Sequence, residues 1–164
     1  MLDADTLLTG PLVVLAKANA SPHRMLFKRF GIRTVVNLRG EAYNPSSALS
    51  KVEAARLGIA HVPMAFESRG APHRDRILRF HDLYRGFQFP ILMHCKSGAD
   101  RAGLASGLVR LFEGGTAADA SAELSLRHGH IEGSPTGILD AFFRLYAADG
   151  EGRKPFLEIG RAHV

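Results

Sequence analysis

Cys95 is the only cysteine of the 164-residue chain, and it stands in the run PILMHCKSGADRAGLASGLVRLF, residues 90–112. Arg101 follows six residues later, Gly98 lies between them, and His94 comes immediately before. A thiolate is a strong nucleophile, and a guanidinium is a planar fork matched to two oxygens of a tetrahedral anion. A loop that joins a strand to the first turn of a helix aims several backbone N–H groups into one space, where the helix dipole adds positive potential. Gly98 permits the dihedrals that such a loop needs. The donors that hold an oxyanion also favour thiolate over thiol, so one short segment could activate a nucleophile and bind the group it attacks. His94 is expected to brace the loop through hydrogen bonds, since it points back along the strand, and not to serve as a base. The bland alternative for Cys95 is a buried inert thiol, a common state for a free cysteine. The register of His94, Gly98 and Arg101 with it argues against that.

Such a segment needs a strand behind it and a helix ahead. PILMH (90–94) reads as the strand, and residues 102–113 read as the helix, stopped by Gly114 and Gly115. Upstream, Ser21 is placed to cap a helix over PHRMLFKRF, with Pro22 at its first position and Gly31 as its stop. IRTVVNLR (32–39) is a β-branched run suited to a buried parallel strand. A helix over 45–57 ends at Gly58, and IAHVPM (59–64) forms a further short strand. After the loop AFESRGA, residues 72–87 have apolar side chains at 77, 78, 80, 83, 84 and 87, which is helical spacing, with Pro72 as the start. Two more helices are expected over 116–129 and 134–149, with Thr116 and Ser134 as caps. The N-terminal stretch MLDADTLLTGPLVVLAKANA is expected to give a first strand or hairpin at the domain edge. Alternating strands and helices followed by helices predict a single α/β domain over 1–164, with its core at about 20–147. A mainly parallel sheet of about four to five strands flanked by helices is expected. Ligands of such sheets bind beyond the carboxyl ends of strands, where Cys95 falls.

His94-Cys95-Lys96-Ser97-Gly98-Ala99-Asp100-Arg101 resembles the HCxxGxxR signature of the cysteine-dependent protein tyrosine and dual-specificity phosphatases. SPHRMLFKRFGIRTVVNLRGE resembles the helix, strand and arginine-bearing turn that open the domain in bacterial dual-specificity-like members, and GIAHVPM resembles the strand before the general-acid loop. The resemblance covers roughly residues 20–147 and implies a phosphotyrosine-phosphatase-like fold and a two-step reaction. The Cys95 thiolate would attack phosphorus, and water would hydrolyse the cysteinyl-phosphate. Arg101 and the loop amides of His94, Lys96, Ser97, Gly98 and Ala99 would hold the phosphate oxygens. Lys96 would meet a multiply anionic substrate or be plain surface. Arg39, with Glu41 beside it, would frame the pocket or pair with that glutamate, and Arg69 would contact substrate or solvent. No metal or cofactor is implied.

The chain departs from the family pattern in two places. Ala102 stands where the family usually has a Ser or Thr whose hydroxyl helps the sulfur leave, so slow phosphoenzyme breakdown is expected unless Ser97 substitutes. The family's acid-loop aspartate is absent, leaving three candidate general acids. Asp100 lies inside the phosphate loop, Glu67 lies 28 residues before Cys95 in the expected loop, and Asp75 lies on the predicted helix. Asp100 is preferred over Glu67. The alternative for Asp100 is a helix-start acid complementing the dipole, and for Glu67 a solvated carboxylate.

Bulk properties narrow the choices. One cysteine excludes an internal disulfide, leaves no thiol set for structural zinc and fits the reducing cytoplasm. A formal net charge of +5 and a pI near 9.8 favour anionic partners, but the cations are scattered and no nucleic-acid tail is present. Asp3 and Asp5 argue against a secretory signal, and no segment reaches membrane-span length. His81, His128 and His130 lack ligand-like grouping. The expected partner is a phosphorylated protein or a small phosphomonoester, and the sequence does not set the oligomeric state. The competing readings are a catalytically weak phosphate-binding module and a lipid or small-molecule phosphatase. Oxyanion reduction of the arsenate-reductase kind would need an external thiol, and the five-residue Cys-to-Arg spacing argues against a rhodanese-type loop.

Overall fold

The computed structural model describes residues 13–17, 20–41, 45–67, 69–96, 98–124 and 135–159. In chain order the elements are β1 (Val13–Lys17), α1 (Ala20–Phe30), β2 (Thr34–Asn37), α2 (Pro45–Arg56), β3 (Ala60–Pro63), α3 (Arg74–Arg85), β4 (Ile91–Cys95), α4 (Asp100–Phe112), α5 (Ala117–Ala122), a 3-10 turn (Pro135–Gly137), α6 (Ile138–Asp149) and α7 (Phe156–Ile159). The chain groups into two compact units, one of Met1–Phe66 with Tyr84–Gly98 and one of Glu67–Leu83 with Ala99–Val164.

The first unit holds the sheet. Its order is β1-β4-β2-β3 and every pair is parallel; among the described residues there are four strands and no fifth. β2 and β4 are flanked on both edges and are buried along their whole length, as their β-branched and apolar runs require. β3, at an edge, is half-buried. Leu26 and Phe27 of α1 and Ala54 of α2 pack with Ile32, Val35 and Leu92 into one core cluster, joined by Phe30 and Ile59. The expected stops at Gly31 and Gly58 take φ of +61° and +66°, a region that favours glycine.

Helix starts differ from expectation. α1 begins at Ala20, so Ser21 and Pro22 lie inside the first turn; its N–H groups have no intrahelical partners, which lets a proline sit there. α3 begins two residues after Pro72, anchored where the His73 carbonyl accepts the Arg76 and Ile77 N–H groups, both at 3.1 Å. α4 begins at Asp100, because the Ala99 carbonyl already accepts the Gly103 N–H at 2.6 Å.

The second unit is helical. The N-cap of α5 is Thr116, as expected: its hydroxyl accepts from the Asp119 N–H, and the Asp119 carboxylate accepts from the Thr116 N–H. Those bonds from Thr116 hold the Asp119 carboxyl below the usual carboxylate range. α5 ends at Ala122, and the remainder of the expected helix, together with Ser134, His128 and His130, lies outside the described residues. α7 was not foreseen. Phe156 seats it, with its ring centroid 5.0 Å from that of Tyr146 and 6.4 Å from those of Phe112 and Phe142.

α4 approaches α5 and α6 through glycines. A Cβ on Gly107 would come within 2.6 Å of Phe143 Cζ and 2.8 Å of the Ala120 carbonyl oxygen, and Phe143 is fully buried. Gly107→Ala gains about 1 kcal/mol of helix propensity. Overpacking against a side chain with nowhere to go costs typically 1–3 kcal/mol and more for a contact this close. A net loss of about 2 kcal/mol is expected, read as a lowered midpoint in urea unfolding at unchanged slope.

Candidate active site

The octapeptide 94–101 runs from one unit into the other: His94 to Gly98 belong to the first and Ala99 to Arg101 to the second. In the first unit, β4 carries the chain to Cys95 between β1 and β2, with Lys17 opposite Cys95 and Asn37 opposite His94. His94 is fully buried, and its carbonyl accepts the Leu38 N–H at 2.9 Å. Cys95 is 2 % exposed. Burial alone would suit an inert thiol, but the chain curls back over the sulfur: the Gly98 N–H donates to Cys95 Sγ at 3.2 Å. That turn needs Gly98, whose φ is +76°. Lys96 is exposed beside it, and Ser97 lies outside the described residues.

In the second unit, Ala99 is the N-cap of α4 and has no side chain to satisfy the first-turn amides. The dipole of α4 adds positive potential at this end. Asp100 and Arg101 are the first two residues of α4, both partly buried, and Ala102 is fully buried.

Glu67 is not a solitary loop carboxylate. Its Oε1 lies 3.7 Å from His73 Nε2 and 3.7 Å from Arg76 Nη2, which ties the loop to the start of α3. Asp75, in the first turn of α3, and Arg69 are exposed. No group of three or more His, Cys, Asp and Glu residues suited to a metal ion occurs among the described residues. Nor does any described helix have the length and apolarity to cross a membrane.

Arg39 sits in the turn just past the carboxyl end of β2, which neighbours β4. No ion pair joins it to Glu41 among the described residues. Its turn is organised by Asn37, a residue that sequence reasoning missed. Asn37 is buried; its Nδ2 donates to the Gly40 carbonyl at 2.9 Å and to Ser47 Oγ at 3.1 Å, and its Oδ1 accepts the Arg39 N–H at 3.1 Å. The available signal was an amide side chain closing a β-branched run. Asn37→Ala removes three hydrogen bonds and leaves buried groups unmatched, so a loss of about 2–3 kcal/mol in unfolding free energy is expected. A smaller loss would show that water replaces the amide.

A family profile described as DSP-PTPase phosphatase fused to NAD+ kinase matches residues 22–131. A comparison with curated proteins finds no match. Among solved structures, Pseudomonas aeruginosa TpbA is 19% identical with a TM-score of 0.64, over 82% of this chain and 80% of that one. A TpbA variant in complex with pTyr is also 19% identical, with a TM-score of 0.62 over 92% and 95% of the two chains. The DUF442 protein of Shewanella putrefaciens CN-32 is 15% identical with a TM-score of 0.65, over 90% of each chain. These likenesses bear on the fold: an α/β domain with a parallel sheet.

Proposed function

The chain belongs to the DSP-PTPase family whose profile spans residues 22–131, within the cysteine-dependent tyrosine and dual-specificity phosphatases, and from that premise we propose that it hydrolyses phosphomonoesters through a cysteinyl-phosphate. The observation that carries this reading is the Gly98 N–H donating to Cys95 Sγ at 3.2 Å, because it brings a backbone donor of the loop back onto the sulfur, the kind of donor that also holds an oxyanion. Cys95 is the nucleophile. Its thiolate attacks phosphorus, the ester P–O bond breaks, and the departing oxygen takes a proton from a carboxylic acid. Water then gives a proton to the carboxylate left by the first step and attacks the cysteinyl-phosphate, the S–P bond breaks, inorganic phosphate leaves, and the thiolate and the acid are restored. Arg101 and the amides of residues 96–101 hold the equatorial oxygens. No metal or cofactor takes part.

Asp100 is the proposed acid, carried at the loop itself on the first turn of α4. Glu67 is the weaker candidate because His73 Nε2 and Arg76 Nη2, each 3.7 Å from its Oε1, tie its side chain to the start of α3. The proposed substrates are phosphotyrosine or phosphoserine/threonine proteins in the cytoplasm. The pTyr complex of the TpbA variant and the exposed Lys96 support an anionic phosphoprotein partner. Arg39 is proposed to frame the pocket.

The test is turnover of p-nitrophenyl phosphate in the presence of a chelator, its inhibition by vanadate, and trapping of phosphoenzyme by early acid quench. Vanadate-sensitive turnover with trapped phosphoenzyme is expected. Tight vanadate binding without turnover would favour the second reading, a phosphate-binding module, which Ala102 supports because a buried methyl stands where a hydroxyl would assist the second step. If breakdown is the slow step, Ala102→Ser raises steady-state turnover about tenfold, the worth of one hydrogen bond to a departing charged sulfur. The pre-steady-state burst shrinks in parallel. An unchanged burst would show that Ala102 is not what limits the second step.

A further inference from the structure

Within the second unit, Ile77 and Leu78 of α3, Phe142 of α6, and Phe156 and Leu157 of α7 line a cleft of about 170 Å³, and Arg74 is the one charged residue of its wall. The α7 side is fixed, because the Phe156 ring is stacked among Phe112, Phe142 and Tyr146. Arg74 stands apart from its neighbours on the chain. His73 and Arg76 share the Glu67 carboxylate, whereas Arg74 has no ion pair among the described residues. An apolar wall removes hydrocarbon from water, and a guanidinium at its rim adds a bidentate seat for one carboxylate. The volume decides between occupants. At about 170 Å³ it is close in size to apolar cavities of about 150 Å³ that take one benzene-sized molecule, and it is too small for the anchoring face of an amphipathic helix.

We propose that this cleft binds an aliphatic monocarboxylate of medium chain length, with its tail against the Phe142, Phe156 and Leu157 wall and its carboxylate on Arg74. The proposal goes beyond the phosphatase reading and does not rest on it.

The test is isothermal titration of the full chain with octanoate and with 1-octanol, below any micelle concentration. Octanoate is expected to bind at one saturable site, and octanol about fivefold more weakly, the scale of one exposed but well-formed ion pair. Arg74→Gln is expected to bring octanoate down to the octanol level and leave octanol unchanged. Leu157→Asn is expected to weaken both ligands, with its thermal midpoint measured in parallel; if that variant does not fold, Arg74→Gln decides alone. The proposal is overturned by absence of saturable octanoate binding, by equal affinities for the two ligands, or by an Arg74→Gln variant that binds octanoate as wild type does. Displacement of octanoate by vanadate would overturn it too, by placing the carboxylate at the phosphate loop.

Discussion

Cys95→Ser is expected to lower turnover of p-nitrophenyl phosphate by about 10⁴-fold or more while leaving the protein folded. The chemical reason is that a serine hydroxyl is not ionised at neutral pH, and no histidine or carboxylate is proposed as its base. The structural reason for an intact fold is that the change replaces one buried sulfur by a smaller oxygen at the end of β4, where the backbone register with Lys17 does not depend on the thiol and a serine Oγ can accept the Gly98 N–H in its place. Two measurements separate the roles. Inorganic phosphate or vanadate should still protect the loop, because the amides and Arg101 remain, although vanadate loses its bond to sulfur. The thermal midpoint should shift by only a few degrees, corresponding to about 1 kcal/mol. Retained turnover, or phosphoenzyme trapped in this variant at a residue other than 95, would remove Cys95 from the nucleophile's role and with it the cysteinyl-phosphate scheme.

The loop from Cys95 to Arg101 could be delimited in the sequence because its parts are contiguous. Cys95, Gly98 and Arg101 need no tertiary contact to declare their spacing, and the strand and helix on either side have strong local patterns. The stops at Gly31, Gly58 and Gly114 were legible for the same reason, and each has a positive φ. What was hidden depends on chain segments that meet only in the fold. Asn37 looks like a strand end in the sequence; its bond to Ser47 shows it to be the keystone of the Arg39 turn. Glu67 looks like a free loop acid until the start of α3 brings His73 and Arg76 to it. α7 is only Phe156–Ile159, too short to announce itself by periodicity, and it stands on ring contacts with α4 and α6. The starts of α1 and α3 slipped by two residues because proline near a start is compatible with several first-turn positions.

Arg101→Lys is expected to lower kcat/KM for aryl phosphate by on the order of 10²–10³-fold, even though the formal charge is unchanged. If charge alone mattered, lysine would serve. The proposed reaction asks for more: as phosphorus passes from oxygen to sulfur, its three equatorial oxygens spread, and a planar fork can hold two of them at once. An ammonium on a flexible stem contacts one and has to be ordered to do so. The position sharpens the demand. Arg101 is the second residue of α4, so its backbone is fixed by the helix and its side chain is partly buried, leaving a lysine little freedom to find a new angle. Ground-state phosphate makes weaker use of the fork, so KM should change less than kcat, and phosphate inhibition should weaken by no more than about tenfold. Equal losses in kcat and in phosphate affinity would reduce Arg101 to an anchor. A lysine variant within threefold of wild type would show that the loop amides carry the transition state without the fork.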